Sequence, residues 1–239
     1  CSVRRQRQMC IRDRVIDINT NPKNPIIGNR SFGESKENVT NKSIAYMSGL
    51  KSQNILSTAK HFPGHGDTSK DSHKTLPTIK HKRKRILKTE LYPYKRLIDN
   101  GLPAIMVAHL EVPSIEKEKN LPSSLSKNIN KILKKNLKFK GLIITDALNM
   151  SGVTNYKKNN IDLMSFVAGN GILLMSNDPP LGISKIKEAI NSSAIPMERL
   201  EHSVKKILKA KYKVGLKNKK DIEQVNNCLL YTSPSPRDW

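Results

Sequence analysis

The sequence predicts an α/β protein, a (β/α)8 TIM-type barrel of which about the last five βα units are present. Three observations carry this expectation. Short apolar runs alternate with helical patterns along the chain, which calls for a parallel sheet. The chemically versatile side chains cluster directly after those runs, where barrels build their active sites. No glycine-rich phosphate turn follows any run, which counts against the doubly wound sheet that the same alternation allows.

The elements follow in order. A β-type run at 15–18 is followed by a long loop and a helix over 36–53. A second run at 55–59 leads through a Gly/Pro/His loop to a helix over 84–100, which Gly101 closes. A third, 104–107, precedes a helix over 126–137 that Ser126 is placed to cap. Gly141 marks the turn into a fourth run, 142–145, with a helix within 157–168. The fifth run, 172–175, is followed by a helix over 183–191. Pro196 fits the first turn of a last amphipathic helix, with Leu200, Val204, Ile207 and Leu208 on one face and Gly215 at its end.

Both ends read differently from this body. Residues 1–14 lack apolar periodicity and run straight into mid-domain sequence, and 217–239 form a polar linker with a foreign-looking tail. Both resemble translated adaptor sequence at the ends of a metagenomic gene fragment, with disordered natural tails as the alternative. The domain is therefore expected over 15–216, with three upstream barrel units lying outside it. Cys1, Cys10 and Cys228 all fall in the end segments, so the body has no disulfide or thiol chemistry.

The formal charge is +23. Five arginines against one aspartate in 1–14 supply part of it, and lysines scattered through the body supply most of the rest. A polyanion-binding module is the reading from a different functional class. Neither a nucleic-acid-binding motif nor an aromatic stacking platform accompanies the lysines, and a Lys/Asn/Ile excess also follows from A/T-rich codons. Nucleic acid is not the expected partner. No stretch of about 18 apolar residues exists, so no membrane-spanning helix is expected.

Residues 59–73, AKHFPGHGDTSKDSH, place three histidines, two aspartates and a lysine after a buried run. His61 and His65 have the i,i+4 spacing of a helical metal pair, but Pro63 and Gly64 between them preclude the helix, so no metal is expected. A hydrogen-bonded structural histidine is the plain alternative, for His65 in particular. Asp71 and His73 share a face of an extended loop, where the carboxylate would favour the protonated imidazole and make it a proton donor. By itself such a pair reads equally as a surface contact. In GLIITDALNM (141–150) an apolar run delivers Asp146 at its end, as a functional carboxylate or as the cap of a following helix.

Five stretches together resemble the β-N-acetylglucosaminidase branch of glycoside hydrolase family 3. They are DINTNP (17–22) through GNRSFGE (28–34), KHFPGHGD (60–67), MVAH (106–109), ITDALNM (144–150) and DSH (71–73). The resemblance implies retaining hydrolysis of terminal non-reducing β-linked N-acetylhexosamine, without a cofactor. It implies Asp146 as nucleophile, His73 as general acid/base with Asp71 as its dyad partner, and Arg30, Lys60 and His61 as substrate-binding residues. Asp17, His65 and His109 receive no role from it. The family's early strands, with further sugar contacts, would lie upstream of Val15. The DSH stretch counts against the related β-glucosidases, whereas a phosphorylase on the same scaffold stays open. So does a catalytically silent, carbohydrate-binding barrel. The aglycone (peptidoglycan fragment, chitooligosaccharide or glycoconjugate) and the compartment, cytoplasmic or extracytoplasmic in a bacterium, are not fixed by these residues.

Overall fold

The computed structural model describes residues 14–72, 75–156 and 160–216. Strands β1 (Thr58–Phe62), β2 (Ala104–Val107) and β3 (Leu142–Thr145) form a parallel sheet in that order. In central β2, Ile105 and Val107 are fully buried, in keeping with the continuous apolar character of a strand covered on both faces. β2 and β3 pair in unbroken register from Ala104↔Leu142 to Val107↔Thr145. Between β1 and β2 the register slips by one residue, since Ala59 faces Ile105 but Phe62 faces Val107. That bulge falls on Lys60 and His61.

The outer two runs flank this sheet without completing it. Residues 15–18 make one parallel bridge, Val15↔Ser31, and Ile16 N–H donates to Lys60 O at 3.0 Å beside β1. Residues 172–175 join β3 through the Ile144↔Ile172 bridge, and Leu148 N–H donates to Leu174 O at 2.8 Å. Neither is a regular strand, contrary to expectation. In the first, the bonding groups go to loops: Asn19 N–H to Gly33 O at 3.0 Å, and Ser31 Oγ to Asp17 O at 2.6 Å. The described residues therefore show an open parallel sheet with helices around it.

Helix α1 (Lys36–Ser52) matches its expected span and is capped by Ser35, which accepts from Asn38 N–H. Ile55 N–H returns to Leu50 O at 3.0 Å, so residues 53–55 close this helix and β1 begins three residues later than expected. Lys60 and His61 thus lie on the strand itself. The helix expected over 84–100 is two helices, α2 (Arg83–Lys88) and α3 (Tyr92–Asp99). Pro93 sits in the first turn of α3, where its missing N–H costs nothing. Ser126 caps α4 (Lys127–Lys131) through Ile129 N–H, and a π-turn over Ile132–Asn136 continues it.

The short α5 (Ser151–Thr154) was not foreseen; α6 (Ile161–Ala168) was. α7 (Pro179–Asn191) starts earlier than expected because Asp178 caps it and prolines suit its first turn. α8 (Met197–Lys213) has Pro196 at its N-cap. Its Leu200 joins the cluster of Phe166, Ile190 and Ile195, but Val204 (43 %) and Leu208 (57 %) are exposed, so the expected apolar face is only partly buried. The main core joins the sheet (Phe62, Ile105, Ile143) to α1 (Val39, Met47) and α3 (Tyr94, Leu97). Phe62 and Tyr94 meet edge to face, ring centroids 5.0 Å apart. No helix among the described residues is long and apolar enough to cross a membrane.

Candidate active site

The site forms at the C-terminal ends of the strands. Asp146 follows β3 directly, and its backbone N–H donates to Val107 O at 2.8 Å, which ties it to the end of β2. Its Oδ1 accepts from Ala147 N–H at 2.9 Å, fixing the rotation of the carboxylate. Burial works against ionisation of this group. The charges of His61 and His109, the Ala147 N–H and Lys60 more than offset it, and the pKa lies below the usual aspartate value. Asp146 is therefore an anion at neutral pH.

Lys60 and His61 both act on Asp146 although they are sequence neighbours. In a regular strand successive side chains point to opposite faces. The bulge at this point in β1 breaks the alternation, a device found beside active sites. The peptide bonds Lys60–His61 and Phe62–Pro63 are both cis.

The organiser of the loop is Asp17, to which the sequence assigned no role. Its side chain is wholly buried. It accepts from His65 N–H at 2.7 Å, from His61 N–H at 3.1 and 3.2 Å, and from His61 Nδ1 at 2.8 Å. Burial raises its pKa, but the His61 charge and hydrogen bond, together with His65, bring it below the ordinary value. Because Asp17 takes the proton on Nδ1, the Nε2 edge of His61 is turned to other partners. Gly66 lets the loop lie this close: a Cβ there would stand 1.9 Å from Ile18 O.

His65 is buried and bonded on both ring nitrogens, Nδ1 to Thr68 Oγ1 at 2.6 Å and Nε2 to Ser72 Oγ at 3.2 Å. Burial, and then the His61 charge, push its pKa down, so its ring is neutral. It is the hydrogen-bonded structural histidine that the sequence allowed. His109 is fully buried beneath Asp146. Its Nε2 faces Ala147 O at 2.9 Å, and a carbonyl can only accept, so Nε2 carries a proton, while Nδ1 meets Ser124 Oγ at 2.7 Å.

The remaining expected residues are placed as follows. Arg30 is half-buried, and its Nη1 donates to Ile26 O at 3.1 Å. Asp71 O accepts from Thr75 N–H at 2.9 Å, and Ser72 O accepts from Gly152 N–H at 3.1 Å. The segment bearing Asp71 thus docks on α5, just past the Asp146 turn. His73, the expected proton donor, lies outside the described residues. Lys60 and His61 therefore act on Asp146 through their charge, and the Asp71 segment is tied to the turn beyond it through the backbone. Asp17 and His109 were missed; His109 follows an apolar run as Asp146 does, whereas Asp17 lies inside the run at 15–18. A cleft of about 510 Å³ lined by Val15, Met47, Ala59, Lys60, Leu97 and Met106 is mainly apolar and does not include Asp146, so it is not the reaction site. No group of three or more His, Cys, Asp or Glu among the described residues has the arrangement to hold a metal ion.

Comparison with known proteins gives the chain's family. Residues 14–210 match the model of the glycosyl hydrolase family 3 N terminal domain. Beta-hexosaminidase A of Pseudoalteromonas piscicida is 32% identical over 226 residues, covering 84% of this chain and 37% of that protein. A glycoside hydrolase family 3 beta-N-acetylglucosaminidase from Paenibacillus sp. superposes with a TM-score of 0.83 at 33% identity, covering 88% of this chain and 41% of that one. The beta-glucoside phosphorylase BglX superposes with a TM-score of 0.81 at 30% identity, covering 87% and 39%. The chain thus spans well under half the length of each of these three.

Proposed function

Since the chain belongs to glycosyl hydrolase family 3, we propose that its parent protein is a retaining β-N-acetylhexosaminidase that removes terminal non-reducing β-linked N-acetylglucosamine. One observation carries the reading. Asp146 stands at the end of β3, fixed by Val107 O and Ala147 N–H, beside the bulge in β1 that carries Lys60 and His61. A fixed, ionised carboxylate beside sugar-binding donors is what a glycosyl-enzyme mechanism needs.

In this mechanism Asp146 attacks the anomeric carbon while the His73 imidazolium, oriented by Asp71, protonates the departing oxygen. Neutral His73 then takes a proton from water, which opens the glycosyl ester with net retention. Arg30, Lys60 and His61 hold the hydroxyls of the bound sugar. Residues 15–216 are read as part of the barrel domain, with the remaining strands elsewhere in the parent. The names of the relatives, hexosaminidase and N-acetylglucosaminidase, support the choice of sugar.

Likeness to a glucoside phosphorylase favours one second reading, in which phosphate opens the intermediate. A histidine acid/base carries no negative charge to repel it. The deciding experiment incubates the full-length protein with aryl β-N-acetylglucosaminide and β-glucoside, with and without inorganic phosphate. Hydrolytic release of β-configured N-acetylglucosamine, unaffected by phosphate, is expected. A glycosyl phosphate product would establish the second reading, and preference for the glucoside would refute the sugar assignment.

A further inference from the structure

Two hydrogen bonds and one missing side chain join the Asp71 segment to the rest of the site, and none belongs to the residues given roles above. Ser72 is 3% exposed, and its hydroxyl points inward to His65 Nε2 at 3.2 Å. Its carbonyl accepts from Gly152 N–H at 3.1 Å. Gly152 has space for a hydrogen only: a Cβ there would stand 2.7 Å from Ser72 O and 2.9 Å from Thr75 O. The same Cβ would lie 3.4 Å from His109 Cβ, and His109 holds Ala147 O beside the nucleophile. On the other side, the His65 backbone N–H is fixed by Asp17, which also fixes His61.

We propose that Ser72, clamped between His65 and Gly152, is a positioning residue that holds the Asp71 segment in register with Asp146, Lys60 and His61. The proposal rests on the glycosidase reading above. A neutral His65 suits the task, because either of its tautomers can bond both Thr68 and Ser72, and burial keeps the ring neutral. Ser72 sits next to Asp71 in the chain, so a shift of its hydroxyl by a fraction of an ångström moves the dyad partner with it. Local stability and catalytic geometry are then one quantity, read at two places.

Ser72→Ala removes the hydroxyl with little change of volume, and Gly152→Ala pushes on Ser72 O from the nucleophile side. In the full-length protein each is expected to lower kcat/KM on an N-acetylglucosamine disaccharide by roughly five- to tenfold, the worth of one neutral buried hydrogen bond. An aryl glycoside with a good leaving group should lose about twofold or less, since it needs little proton donation. Exchange of the Thr75 amide, which is bonded to Asp71 O, should quicken by roughly the same five- to tenfold. Equal losses on both substrates, or unchanged Thr75 exchange in Ser72→Ala, would overturn the proposal by making Ser72 ordinary packing. A wild-type protein inert to both glycosides would instead refute the glycosidase reading, and the exchange measurement would still decide whether the clamp exists.

Discussion

Asp17 offers the sharpest test of how the loop is built. Its two carboxylate oxygens take two backbone N–H groups and the His61 Nδ1 proton in a fully buried position. Asp17→Ala leaves all three donors without a partner and with little access to water. Each unpaired buried donor costs roughly 1–3 kcal/mol, and truncating one side of a buried charged pair typically costs about 3–5 kcal/mol. The lower ends govern, because the loop can relax, and for two N–H groups and the broken pair they sum to about 5 kcal/mol. For a domain of this size that corresponds to a fall of about 10 °C in Tm. Asp17→Asn is a finer probe. Its amide oxygen still accepts from the two backbone N–H groups, while its NH₂ meets His61 Nδ1. His61 must then accept at Nδ1, which confines its proton to Nε2 and removes the charge-assisted bond that orients the ring. That variant should lose only about 1–2 kcal/mol of stability but raise KM for the glycoside roughly tenfold. Differential scanning calorimetry and steady-state kinetics on the full-length protein read both effects. An Asp17→Ala protein melting within about 2 °C of wild type would refute the claim that this carboxylate organises the loop.

Other consequences follow from the proton chemistry. His73→Gly should cost roughly 10²–10⁴-fold on a disaccharide but far less in the glycosylation step of a nitrophenyl glycoside, with azide rescuing the accumulated intermediate; equal losses without rescue would mean that His73 does not move the proton. Asp71→Ala should give a milder form of the same defect with a shifted pH profile. The lowered pKa of His65 has a definite sign. Below the unfolded value of about 6.5 the unfolded chain binds a proton that the folded one does not, so stability declines on acidification through that window. Asp17, also lowered, contributes only below about pH 4. Tm measured between about pH 7.5 and 5 should therefore fall less steeply in His65→Gln than in wild type; parallel slopes would contradict this assignment.

Much of the architecture was legible because periodicity and burial coincide. The runs at 104–107 and 142–145 are apolar at consecutive positions and form strands with those bounds. The cap at Ser126 was readable from capping chemistry, and the span of α1 from its helical pattern. What escaped was set by partners distant in sequence. Ile55 belongs by pattern to a strand, but its N–H closes the turn after α1. The helix over 84–100 looks continuous until the chain turns between α2 and α3 to seat Leu91 and Tyr94 in the core. At the site, Asp146 was identifiable from its place after an apolar run. His109 shares that place and Asp17 lies inside its run, but their importance lies in bonds across 38 and 44 residues that no local pattern encodes. The bulge at Lys60 and His61 is likewise a property of strand pairing.

The central claim is that Asp146 forms a covalent bond to the sugar. Incubating the full-length protein with a fluorinated N-acetylglucosaminyl donor, whose fluorine slows breakdown of the intermediate, allows the labelled residue to be located by peptide mass spectrometry. The account predicts one glycosyl unit on the peptide containing Asp146, and none in Asp146→Asn. A label on any other carboxylate, or turnover that survives in Asp146→Asn, would contradict it.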